Sequence, residues 1–136
     1  MRRGDWEAAL VAYVAGTAER EHAWGLFDCA LDAANAVEAM TGIDFAAPFR
    51  GRYSTAAGAA RILRRFGKGT VEQTVDDLFP AIAPGFARRG DLVLHEGAIG
   101  VVMGGFALVL VENASDAGAT RVRVPRHQWQ KAWAVG

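Results

Sequence analysis

The chain changes character once, and it does so without a linker. Up to about Phe79 it is rich in alanine and carries apolar residues at helical spacing. From about Gly90 it is rich in valine and glycine, in short apolar runs broken by turn residues. No Pro/Ser-rich stretch divides the two parts and no internal repeat is visible. At 136 residues this is one domain, 1–136, with a helical part over about 5–79 and a sheet part over about 90–136. Helices followed by strands predict an α+β fold, an antiparallel sheet of about five strands covered by helices on one face.

The helical part carries its own punctuation. Asp5 is a good N-cap for a first helix, in which Trp6, Leu10, Tyr13, Val14 and Thr17 form one buried stripe. Asp28 caps a second helix that runs to about Thr41, with Gly42 just beyond its end. That helix is built from Ala30, Ala33, Ala34, Ala36 and Ala39, so neighbours can approach it closely and it is expected to be central. Ser54 or Thr55 opens a third helix that ends at Gly67, and Thr70-Val71-Glu72-Gln73 has the capping-box pattern of a fourth. Pro80 and Pro84 force an extended connection. Strands are expected over residues 92–95, 99–103, 106–111, 120–124 and 131–135, with turns at Glu96-Gly97 and Gly104-Gly105 and a polar loop over 113–119.

Composition excludes several classes of function. Fifteen basic residues balance fifteen acidic ones, so no basic excess speaks for a nucleic-acid partner. Arg61, Arg64 and Arg65 read as the solvated face of the third helix. No run of about 18 apolar residues is present, so no membrane-spanning helix is expected. Arg2 and Arg3 precede an apolar run, but Asp5 and Glu7 interrupt the basic region and the run is amphipathic, so no signal peptide is expected. The single cysteine excludes an internal disulfide. One cysteine and three scattered histidines have no metal-ligand spacing, so neither metal nor cofactor is expected.

Any chemistry therefore centres on Cys29, in the first turn of the second helix. Unpaired amide groups and the positive end of the helix dipole favour a thiolate there. The neighbouring Asp28 carboxylate opposes a second negative charge unless it is engaged as the cap. The alternative is that Cys29 is one more small residue of an alanine-rich helix. A nucleophilic cysteine also needs a base within hydrogen-bond reach. The candidates are His22, in the loop before Cys29; His95, at the end of the first strand; and His127, before the last.

The segment Trp24-Gly25-Leu26-Phe27-Asp28-Cys29 resembles the cysteine motif of the NlpC/P60 family of papain-like peptidases. Gly90-Asp91-Leu92-Val93 is similar to that family's Gly-Asp-Leu-Val strand, and Ile99-Gly100-Val101-Val102-Met103-Gly104 to the strand after it. Three motifs in this order imply a papain-like fold with Cys29 as candidate nucleophile. Where the family places its catalytic histidine, immediately before the hydrophobic-Gly pair, this chain has Ala98, and where serine usually follows the cysteine it has Ala30. The base would then have to be His95 or His127, with Asn113 orienting it.

The whole chain is most similar to short phage and prophage proteins related to NlpC/P60. The shared segments are Phe49-Arg50-Gly51-Arg52-Tyr53, Ala87-Arg88-Arg89-Gly90-Asp91 and Ala132-Trp133. That resemblance implies a tail-tip or hub-associated structural component with a degenerate NlpC/P60-like fold and little or no peptidase activity. Its partners would be other tail proteins, the tail hub and the distal tail protein, and its location the virion tail or the host cytoplasm during assembly. Two other readings stay open: an active cysteine peptidase or amidase that cuts peptidoglycan stem peptides during genome entry, and a non-catalytic peptide-binding domain. Phe45, Phe49 and Tyr53, between the second and third helices, are candidates for contacts with neighbouring subunits.

Overall fold

The computed structural model describes residues 1–112 and 119–136. Among the described residues four α-helices precede the whole sheet: α1 (Trp6–Gly16), α2 (Cys29–Thr41), α3 (Ala56–Phe66) and α4 (Val71–Leu78). The strands are β1 (Ala81–Ile82), β2 (Leu92–His95), β3 (Ala98–Val102), β4 (Phe106–Glu112), β5 (Ala119–Pro125) and β6 (Lys131–Trp133). They form one antiparallel sheet in the order β1-β6-β2-β3-β4-β5. The expected α+β architecture is present, with six strands rather than five.

Local chemistry explains most helix ends. Asp28, Thr55 and Thr70 each sit in extended backbone and accept a hydrogen bond from the N–H three residues on, which satisfies a helix donor that has no partner within the helix. Gly42 closes α2 in the left-handed conformation. Asp5 is the exception. It precedes α1 but makes no side-chain cap, because its carboxylate pairs with Arg3 at 3.3 Å in solvent.

The strand expectations need three corrections. Ala81–Ile82, expected as plain connection, pairs with β6 as an edge strand of two residues. At the other end β6 stops at Trp133, short of the expected Val135. The Ala134 N–H goes to Pro80 O (2.9 Å) and the Val135 N–H to the Asp91 carboxylate (3.1 Å), so neither joins a ladder. β3 begins at Ala98, which pairs with His95 across the two-residue Glu96-Gly97 turn. Both turn residues have positive φ, 49° and 81°.

Both faces of the sheet are buried. On one, Leu92, Leu94, Ile99 and Val101 pack against Leu10 of α1 and Ala33, Ala36, Val37 and Met40 of α2. On the other, Val93, Val102, Ala107, Val109, Val124 and Ala132 cluster with Trp129. The α1 stripe is confirmed in kind, with Leu10 fully buried and Trp6, Tyr13 and Val14 packed on the same core. Helices α3 and α4 have no buried residue. Between them, α2 and the sheet lies an apolar cavity of about 120 Å³. Phe45, Phe49 and Tyr53 line this cavity, and Phe45 also packs edge-to-face on Phe79 at 4.9 Å, so these rings turn towards the core.

Asp91, of the Gly-Asp-Leu-Val segment, ties the chain ends to the sheet. Its carboxylate accepts from the Arg2 guanidinium (2.8 Å), the Val135 N–H (3.1 Å) and the Arg88 N–H (2.8 Å). Its side chain is 7% exposed and that of Arg2 16%. Replacing Asp91 with alanine strands a largely buried guanidinium and two N–H groups. We expect Asp91→Ala to lower stability by about 3 kcal/mol in urea unfolding. A loss below about 0.5 kcal/mol, the scale of an ordinary surface change, would show that the tie is not energetically significant.

Candidate functional site

The segment before α2 is a tight turn closed on itself. Ala23 and Phe27 form an isolated antiparallel bridge, with N–H···O distances of 2.9 and 2.7 Å. Gly25, at the bend, has φ +81°, and a Cβ there would collide with the Tyr53 carbonyl oxygen. Glycine is therefore required twice, for its dihedral and for the close approach of another backbone. The Gly51 N–H donates to Gly25 O at 2.8 Å, so residues 49–53 clasp the turn from outside.

Asp28 joins the two segments. It is 2% exposed. One carboxylate oxygen accepts from Leu31 N (3.0 Å), and the other from Gly25 N (3.0 Å) and the Tyr53 hydroxyl (2.5 Å). A buried carboxylate is tolerable only when it is satisfied in this way. Here the donors come from its own helix, from the preceding turn and from a loop 25 residues on. The Trp-Gly-x-x-Asp and Phe-Arg-Gly-x-Tyr segments thus bind one another, a link the sequence reading did not make. Burial first, then the hydrogen bond to Asp28 and its negative charge, push the Tyr53 phenol well above its usual range; the charge of Cys29 adds to this.

Cys29 opens α2 as expected and is partly buried, outside any disulfide. It lies one turn before Ala33 on the stripe that continues through Ala36 and Met40 into the sheet-facing core. Helical spacing therefore aims its thiol towards the sheet. One turn further along is a cluster that sequence reasoning missed. Asp32 accepts two hydrogen bonds from the Arg121 guanidinium (2.6 and 3.1 Å) and one from the Tyr13 hydroxyl (2.6 Å). Arg121 also donates to Val14 O (3.1 Å) and the Thr17 hydroxyl (2.6 Å), which binds β5 to α1 and α2. Burial, with the Asp32 charge second, raises the Tyr13 phenol as well. The available signal was a lone carboxylate within an otherwise alanine-rich helix.

The expected bases on the strand half lie on the far side of the sheet from α2. Side chains alternate across a strand. Leu92 and Leu94 face α2, so Val93 and His95 face the opposite cluster. His95 accordingly lies near Gln128 O (3.4 Å), on the Trp129 side of the sheet. Ala98 packs with that far cluster too, so the position where the resemblance places the family's histidine turns the same way. His127 is exposed in the 3-10 turn Arg126–Gln128 beside Trp129. The β2–β3 register thus puts His95 on the sheet face opposite α2, and His127 lies beside Trp129 of the same far cluster. His22 remains on the Cys29 side, its ring edge-to-face with Trp24 at 5.0 Å. Asn113, and the expected polar loop except its last residue, lie outside the described residues. Among the described residues no group of three His, Cys, Asp or Glu could hold a metal ion, and no helix is long and apolar enough to cross a membrane.

The chain belongs to the DUF6950 family, described as a domain of unknown function, whose model matches residues 1–135. No curated protein and no solved structure matches it.

Gly25→Ala forces a methyl group against the Tyr53 carbonyl at a dihedral that alanine resists, and should cost about 2–4 kcal/mol in urea unfolding. A change within about 0.5 kcal/mol would show that the two segments do not touch in solution. Both tyrosines have folded pKa values above the unfolded value of about 10. The stability they contribute is therefore complete below about pH 10 and is lost as pH rises through the folded values. Near-ultraviolet absorbance should show no phenolate in the native protein at about pH 10.5, with phenolate emerging together with alkaline unfolding. A tyrosine that ionises near pH 10 while the fold is intact would contradict the burial and bonding described.

Proposed function

We propose that this protein is a phage or prophage tail component, associated with the tail tip or hub, with a papain-like fold of NlpC/P60 type that serves structure rather than peptide cleavage. The observation that carries the reading is the β2–β3 register. It turns His95 and Ala98 away from α2, so the strand that would present the base in a working peptidase presents apolar residues to the helix instead.

The motif residues support the same reading through what they hold. Asp28 fastens the Trp-Gly turn to Tyr53, and Asp91 fastens both chain termini to the start of β2. Segments that resemble catalytic framing thus act as ties. The partners would be tail hub and distal tail proteins, met in the virion tail or during assembly in the host cytoplasm. No cofactor is called for.

A second reading, an active cysteine peptidase or amidase on peptidoglycan stem peptides, is favoured by one observation. The Ala23–Phe27 bridge folds the His22 loop back onto the turn that leads to Cys29. In that reading Cys29 attacks and His22 takes its proton.

The test is to incubate the purified protein with peptidoglycan fragments and follow release of stem peptides. In parallel, its retention by co-expressed tail hub protein is measured for wild type and Cys29→Ala. The structural reading predicts no release above the Cys29→Ala background and equal retention of both. Release that Cys29→Ala abolishes and His22→Ala lowers by about 100-fold or more would establish the enzyme instead.

A further inference from the structure

The apolar cavity beneath α3 and α4 is used by neither reading above. Its wall combines the small-residue face of α2, at Ala30 and Ala34, with Phe49, Leu63, Val75 and Ile99 from four other parts of the chain. Larger side chains on that face of α2 would close it.

The oxygen-bearing side chains on its wall are already committed. Asp28 accepts from Gly25, Leu31 and Tyr53, and the Tyr53 hydroxyl is spent in that bond. The Thr74 hydroxyl donates to Thr70 O (2.7 Å) and accepts from Lys68 N (3.1 Å). A cavity that offers so few hydrogen bonds holds water poorly, and one of roughly 150 Å³ with aliphatic and aromatic walls takes up benzene. This one measures about 120 Å³ and is partly open to solvent, which gives a ligand a way in. Its outer wall is α3 and α4, neither of which has a fully buried residue, so their displacement disturbs little packing.

We propose that this cavity is a binding site for a small uncharged apolar molecule, the size of a single aromatic ring or a compact hydrocarbon of about six carbons. Neither a carboxylate nor an ammonium group fits, because the side-chain oxygens of the wall are already bonded and the indole N–H of Trp24 cannot alone compensate the lost hydration of a charged group. The proposal does not rest on the tail-component reading.

The test is thermal unfolding of the whole protein with toluene, cyclohexane or benzoate, for wild type and for Ala34→Leu, which fills the cavity from α2. Toluene or cyclohexane at about tenfold over its dissociation constant should raise the wild-type midpoint by about 5 °C. Benzoate should not, and Ala34→Leu should lose the response. If Ala34→Leu does not fold, Ala30→Val takes its place. Xenon NMR of the wild type should also show a saturable bound resonance. No response of the wild type to either hydrocarbon, an equal response to benzoate, or an undiminished response in the filled variant would each overturn the proposal.

Discussion

The arrangement around α2 depends on one buried carboxylate. Asp28 is withdrawn from water, and an ionised group so placed destabilises a fold unless donors surround it. Three are supplied, from the helix it caps, the turn before it and the Tyr53 hydroxyl. With those satisfied, the start of α2, the bend at Gly25 and the loop that follows α2 have one mutual placement. Cys29 inherits its position from this arrangement, and so does the side of the apolar cavity that Asp28 and Tyr53 line.

The same device recurs elsewhere. Asp28, Asp32 and Asp91 are the buried charged side chains among the described residues. Each bonds groups that lie far apart in sequence. Asp32 holds Arg121 of β5 and Tyr13 of α1 against α2. Asp91 holds Arg2 and Val135 at the edge of the core. Apolar burial drives the collapse of such a chain but is indifferent to direction. These directional bonds select which element meets which, and removing one partner leaves the other buried without compensation.

Much of the helical part was legible because caps are local. Thr55, Thr70 and Asp28 act within three residues of themselves, so sequence spacing alone finds them. The β2–β3 hairpin was legible for the same reason. The face of His95 was not. Leu92, Val93 and Leu94 are all apolar because both sides of the sheet are buried, so no alternation in the sequence marks which side meets the helices. That missing signal separates an imidazole beside the thiol from one across the sheet. The two-residue β1 was hidden by its brevity between Pro80 and Pro84. The Asp28–Tyr53 and Asp32–Arg121 contacts were hidden by the chain length between partners.

The Asp28–Tyr53 contact joins two segments 25 residues apart, and the two side chains are energetically coupled through it. A double-mutant cycle with Asp28→Asn, Tyr53→Phe and the pair, followed by urea unfolding, measures that coupling without reference to any activity. The expected interaction energy is about 1.5–3 kcal/mol, the scale of a hydrogen bond to a charged group. Additive single effects, with a coupling below about 0.3 kcal/mol, would contradict it.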